Sequence, residues 1–97
     1  MALTRFGFIV TGSQLDTRVV MRSATFEMIA IGVSSPEQGP AAALELAREG
    51  VQLVELCGGF APRHVARVIE ALGPAIPVGV VAYGPEAIEA LHELFAP

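Results

Sequence analysis

The sequence predicts one α/β domain, spanning residues 1–97, in which four strand-helix units build a parallel sheet. Short apolar runs of strand length alternate with segments of helical periodicity, the connections are short, and the units repeat weakly with a period of about 25 residues. Strands of this kind joined by short crossovers leave two architectures open. The first is an open, flavodoxin-like sandwich with helices on both faces of the sheet. The second is a (βα)4 half-barrel with helices on one face only.

The first unit begins with the apolar run 6–10, which is typical of a strand buried on both faces. Ser13 and Asp16 follow it with the spacing of a capping box, in which two side chains satisfy free amides at a helix start. The sequence therefore predicts a short helix over residues 16–23.

The second unit begins with the strand predicted over residues 26–33. Ser35 and Gln38 again have the capping-box spacing after this strand. The segment 41–49 is rich in strong helix formers, and Gly50 stands where a C-terminal cap is expected. The second unit is therefore predicted to be a strand followed by a helix with a defined start and end.

The third and fourth units have the clearest patterns in the chain. The stretch 51–60 predicts a buried strand that runs into a glycine turn, and a helix is predicted over 62–72. The fourth strand is predicted over 78–83, with a final helix after Pro85. The helix of the third unit carries apolar side chains at helical spacing, namely Val65, Val68, Ile69 and Leu72.

The composition excludes several classes of protein. The net charge is −4, and all six basic residues are arginines, so the chain lacks the basic stripe of a nucleic-acid-binding protein. One cysteine precludes an internal disulfide and fits a reducing compartment. No apolar run reaches the length of a membrane span. We expect a cytoplasmic protein with neither nucleic-acid nor membrane partners.

The composition also predicts self-association. Hydrophobic residues make up 53% of the chain and charged residues 16%, whereas an ordinary domain has about 25% charged residues. A chain of this size has too much surface to cover with so few charged groups. We therefore expect the protein to partner with itself as a homodimer or higher homo-oligomer. The inner face of a half-barrel, or the last helix of an open sheet, would form the interface.

The carboxyl ends of all the parallel strands are predicted to meet at one edge of the sheet, where ligands bind in both architectures. The helix N-termini that follow the strands favour a small anion there. The Gly58–Gly59 pair is neither a nucleotide nor a dinucleotide fingerprint, so no cofactor is expected. The candidate ligand-binding residues at this edge are Thr11, Ser13, Ser34, Gly58, Gly59 and Tyr83.

Glu55, Cys57 and His64 are the candidate catalytic residues. Glu55 and Cys57 lie two residues apart and so share one face of the third strand, with Glu55 as an acid or base and Cys57 as a nucleophile. His64 falls in the first turn of the next helix, near the same edge. Packing is the preferred explanation of all three, with Cys57 as a small buried side chain, Glu55 paired to an arginine or at an exposed edge, and His64 as a boundary histidine. Their spacing matches no recognised zinc site, so no metal is expected.

The stretches Glu55-Leu-Cys-Gly-Gly-Phe60 and Ile76-Pro-Val-Gly-Val-Val81 resemble a family of short bacterial proteins of unknown function that carry ELCGGF followed by PVGVV. Members of that family usually have an arginine directly after PVGVV, where this chain has Ala82. The resemblance implies no known activity.

Two functional hypotheses follow from the sequence. In the first, the chain is a small homo-oligomeric α/β protein that binds a small anionic metabolite at the carboxyl edge of its sheet. In the second, it is a lyase or isomerase that uses Glu55 and Cys57 at a site completed by a neighbouring subunit. We prefer the first, because the sequence contains no known catalytic constellation, and keep the second as the alternative.

Overall fold

The computed structural model describes residues 2–96 and contains a five-stranded sheet with three α-helices. Short 3-10 turns at Pro36–Gln38 and Pro85–Ala87 precede the first and the last helix. None of the helices in this described part is long and apolar enough to cross a bilayer. In chain order the elements are β1 (Arg5–Thr11), β2 (Thr17–Arg22), β3 (Glu27–Val33), α1 (Gly39–Arg48), β4 (Val54–Leu56), α2 (Pro62–Leu72), β5 (Val78–Val80) and α3 (Ile88–Phe95).

The helix predicted over 16–23 is wrong, because this segment forms strand β2. Strand β2 runs antiparallel to β3 at the edge of the sheet, so four strand-helix units are not present. The predicted capping box does not form. The amide of Leu15 instead donates to Gly12 O in a tight turn, and Gln14 adopts a φ of 58°. The β-branched Val19 and Val20 disfavour a helix, and the free edge of β3 offers this segment a hydrogen-bonding partner.

The strand order is β2-β3-β1-β4-β5, in which β1 pairs with β3 and β4 in parallel and β4 pairs with β5 in parallel. A half-barrel needs its parallel strands side by side in chain order, so the half-barrel prediction is wrong. The four parallel strands, numbered alone, have the order 2-1-3-4, which is the order of a flavodoxin-like sheet. The mixed α/β class is confirmed.

The two central helices cover one face of the sheet. Helices α1 and α2 pack against each other, and α1 also packs on β1 and β3. The fold differs from a flavodoxin-like sandwich because β2 replaces the helix that would follow β1. The opposite face of the sheet consequently lacks the helix layer that a sandwich requires.

The hydrophobic core lies between the sheet and these two helices. Its five largest fully buried side chains come from two strands, β1 and β4, and from both helices. Phe60, just after β4, is also buried there. Together they form one continuous cluster. The five largest fully buried side chains are Ile9, Leu46, Val54, Leu56 and Val68.

Ion pairs hold the edge strand β2 to the rest of the domain. Arg18 bonds to Glu45 of α1, at 2.9 Å, and to Glu49 directly after that helix. Arg22 and Arg5 both pair with Glu27 at the start of β3. The hydrogen bond from Arg22, together with the charge of Arg5, holds the pKa of the Glu27 carboxyl below its usual value. Because these groups are exposed, the pairs fix the position of β2 more than they stabilise the fold.

Side-chain hydrogen bonds cap the turn before α1 and the start of α2. The capping box predicted from Ser35 and Gln38 forms, and it caps the 3-10 turn that leads into α1. Helix α2 starts at Pro62, whose missing N–H costs nothing in the first turn. The Ala61 amide donates to Nδ1 of His64 at 3.0 Å, which is the second half of a capping box. His64 is a buried side chain, and its role in this structure is to close the start of α2.

We expect Val68→Asp to destabilise the protein by about 4 kcal/mol or more, because Val68 is fully buried and the new carboxylate would have no partner. Ile69→Asp is the matched control. Ile69 is the next residue of α2 and is 48% exposed, so its substitution should cost about 1 kcal/mol or less. Urea unfolding followed by circular dichroism measures both. Equal losses in the two variants would contradict this account of the α2 stripe.

A second prediction concerns the His64 cap. His64→Leu keeps an apolar volume but removes the acceptor of the Ala61 amide, whereas glutamine is a natural partner in a capping box. We expect His64→Leu to be less stable than His64→Gln by about 1 kcal/mol, because the amide is left without an acceptor. The difference in urea midpoint between the two variants tests this. A leucine variant as stable as the glutamine variant would show that the cap contributes nothing.

Candidate functional site

A cavity of about 410 Å³ lies at the carboxyl edge of the sheet, beside the ends of β1 and β4. Residues after three of the parallel strands meet there with one side of helix α3. Five of the residues that line it were predicted from the sequence, four as ligand-binding positions and one as a catalytic position. The lining residues are Thr11, Cys57, Gly58, Gly59, Tyr83, Leu91 and Phe95.

The position of this cavity follows from the topology. The chain leaves β1 toward β2 and β3 on one side, and it leaves β4 through α2 toward β5 on the other side. The two connections diverge, and a crevice opens between the ends of β1 and β4. Such a switch point is where open α/β sheets commonly bind their ligands.

The turn after β4 supplies free backbone donors at the cavity. The Phe60 amide donates to Cys57 O at 3.2 Å and closes a turn over Gly58 and Gly59. Within residues 2–96, the amides of these two glycines donate to no protein group.

Close packing explains why both turn positions are glycine. A Cβ atom on Gly59 would lie 2.6 Å from Cγ2 of Thr11, and one on Gly58 would lie 3.2 Å from the ring of Tyr83. The first distance is shorter than real Cβ contacts allow, and the second is tight. The end of β1 therefore leaves no room for a side chain at Gly59, and Tyr83 leaves little room for one at Gly58.

Cys57 links the two strands that flank the cavity. Its Sγ accepts a hydrogen bond from the Thr11 amide at 3.3 Å, and its side chain is partly exposed. The thiol thus joins the end of β4 to the end of β1 and also contributes to the cavity lining.

The other two candidate catalytic residues lie elsewhere. Glu55 is exposed on β4, where its register neighbours are Phe8 on β1 and Gly79 on β5, and it does not line the cavity. His64 is buried beside Ala61, and its Nε2 lies 3.5 Å from a carboxylate oxygen of Glu37. Because Nδ1 accepts the Ala61 amide, the neutral imidazole carries its proton on Nε2, toward Glu37. The structure does not bring these two side chains to the Cys57 thiol.

The remaining candidate binding residues also stand apart from the cavity. The Ser34 hydroxyl donates to Oε1 of Gln38 at 3.0 Å, in a separate groove beside the start of α1. Ser13 is exposed in the connection between β1 and β2 and is not a lining residue of the cavity. Both serines follow strands at the same edge, but the strand order places them on the far side of β1 from the glycine turn.

Sequence reasoning did not assign Leu91 and Phe95 to the site. Both belong to the apolar stripe of α3. Such a stripe predicts an amphipathic helix, but it does not predict which surface of the protein the helix packs against. In the described part of the chain, no group of three or more His, Cys, Asp and Glu side chains is arranged to hold a metal ion.

The comparison with known proteins gives a family and no activity. No curated protein and no solved structure matches the chain. A family of unknown function, DUF6506, matches residues 4–96, which is nearly the whole chain and includes every residue of the cavity. The protein therefore belongs to this family of unknown function.

Proposed function

We propose that the protein binds a small anionic metabolite in the cavity at the carboxyl ends of β1 and β4. The observation that carries the proposal is the pair of unused amides at Gly58 and Gly59, at the wall of a switch-point crevice. The volume of about 410 Å³ falls within the range of small-molecule sites.

The lining favours an anion with an apolar portion. No acidic or basic side chain is among the residues that line the cavity. The two glycine amides and the hydroxyls of Thr11 and Tyr83 can donate hydrogen bonds to a carboxylate or phosphate. Leu91 and Phe95 offer an apolar surface to the rest of the molecule. A short-chain carboxylate has both features.

Binding agrees with this lining better than catalysis does. A thiol nucleophile needs a neighbouring base, and a lyase or isomerase needs an acid or base beside the reacting carbon. Cys57 lines the cavity, but Glu55 and His64 do not. The enzyme hypothesis therefore requires a group that the chain's own cavity lining does not supply.

The single tyrosine provides a direct assay. The chain has one Tyr and no Trp, so its ultraviolet fluorescence comes from Tyr83 at the cavity wall. Native mass spectrometry of the purified protein first identifies any molecule that remains bound. Titration with inorganic phosphate, acetate and hexanoate, followed by Tyr83 fluorescence, then ranks the anions.

We expect Leu91→Glu to weaken binding of hexanoate about tenfold or more relative to Leu91→Gln. The two variants differ in charge and hardly in size, so the difference measures repulsion between the new carboxylate and the bound anion. Hexanol, which has a similar chain but no charge, should bind the two variants equally.

Three results would contradict the proposal. The first is the absence of any bound species or fluorescence change, and the second is equal affinity of both Leu91 variants for hexanoate. The third is equal affinity of the unsubstituted protein for hexanol and hexanoate, which would indicate an apolar pocket without anion recognition.

A further inference from the structure

The face of the sheet opposite α1 and α2 is apolar. Pairing register places alternate residues of β1, β2 and β3 on this uncovered face, since neighbours in register point the same way. Val19 is 53% exposed, Met21 58% and Phe26, which precedes β3, 38%. The apolar side chains of the uncovered face are Phe6, Phe8, Val10, Val19, Met21, Met28 and Ala30.

Parallel sheets are normally covered on both faces, because their strands are apolar on both sides. Here β1 and β3 have that double-sided pattern, but a helix layer covers only the side of Ile9 and Ile31. The antiparallel strand β2 extends the sheet sideways and adds Val19 and Met21 to the uncovered face. Within residues 2–96, α1 and α2 do not cover this second apolar face.

The uncovered face has the size of a small interface. Strands β1 to β5 have seven, six, seven, three and three residues, and each residue covers about 3.3 Å along its strand and about 4.8 Å across it. The flat area is therefore about 410 Å², and protruding side chains increase the accessible area beyond that. A standard protein interface buries about 800 Å² on each partner, so the face is of the right order.

The charge on the face favours an identical partner. The one charged strand residue on this face is Glu55, on β4. Its neighbour on the edge strand β5 is Gly79, which has open space around it. The Glu55 carboxylate can therefore stay hydrated near the edge of the face. The centre of the face, on β1, β2 and β3, is uncharged, so it carries no charge pattern that would select a different protein. An apolar surface of this kind is complementary to itself, and two-fold pairing buries it in both copies at once.

The uncovered face is not flat, because a groove crosses it. The rings of Phe6 and Phe26 lie 5.7 Å apart and are tilted by 43°. They line a depression of about 400 Å³ together with Met21 and Met28, and Arg22 and Ser23 lie at its margin. Methionine side chains adapt their shape to an incoming surface. We propose that two copies of the chain pack face to face through the uncovered sheet face to form a two-fold dimer. This proposal does not depend on the ligand of the edge cavity.

Light scattering coupled to size exclusion tests the proposal with one variant and two controls. The unsubstituted protein should elute with twice the chain mass of 10.1 kDa at micromolar concentration. The double variant Val19→Lys, Met21→Lys should raise the dissociation constant of the dimer about 100-fold or more, because it places two cations in an apolar interface. Both side chains are exposed in the monomer, so the variant should keep its fold by circular dichroism.

The controls place the same charge on other surfaces. Val20→Lys lies on the same strand and points to the opposite face, and Leu94→Lys lies on α3, where the side chain is 75% exposed. Both variants should remain dimeric. A dimer that survives the double variant would overturn the proposal, and dissociation by Leu94→Lys alone would assign the interface to α3.

Methionine oxidation provides a second measurement on the unsubstituted protein. Hydrogen peroxide oxidises exposed methionine, and Met21 is 58% exposed in the monomer. We expect the oxidation of Met21 to slow several-fold as the protein concentration rises through the dissociation constant. A mass of one chain at all micromolar concentrations, or a Met21 oxidation rate independent of concentration, would overturn the proposal. If such a monomer still bound hexanoate, the dimer proposal would fail and the proposed binding function of the edge cavity would stand.

Discussion

The parallel pairing of β1 with both β3 and β4 is the constraint on which the structure depends. It places Ile9 in the centre of the core, between the side chains of Ile31 and Leu56 in register. It also sends the chain away from β1 and β4 in opposite directions. The crevice between these two strand ends, the glycine turn and the cavity are consequences of that one arrangement.

The replacement of a helix by strand β2 has consequences on both faces of the sheet. On the helix side, Arg18 reaches the carboxylates of Glu45 and Glu49 and fixes the edge strand to the domain. On the other side, no helix covers Phe6, Phe8 and their neighbours. The chain thus has one complete core and a second apolar surface outside it. The second surface accounts for the low fraction of charged residues, 16%.

The candidate site shows how backbone geometry can create a binding surface from residues without strong chemistry. The close approach of Thr11 requires a glycine at position 59, and the ring of Tyr83 favours one at position 58. Among the described residues, the amides of both glycines donate to no protein group. Cys57 stabilises the same arrangement by accepting the Thr11 amide. The same few positions therefore serve both the packing of the fold and the proposed binding of a ligand. The contacts that Cys57 and His64 make within the fold are sufficient to explain both side chains.

The sequence by itself determined the α/β class, helix α2 from Pro62 to Leu72, the Ser35 cap and the edge at which Thr11, Gly58, Gly59 and Tyr83 meet. These features depend on local periodicity and on the common direction of parallel strands. The tertiary structure alone decided that residues 17–22 form a strand, that Ser34 lies away from the cavity, and that Leu91 and Phe95 reach it. Strand order and edge pairing depend on contacts between residues that are distant in the chain. A local sequence pattern does not show which distant strand is free to pair with a given segment.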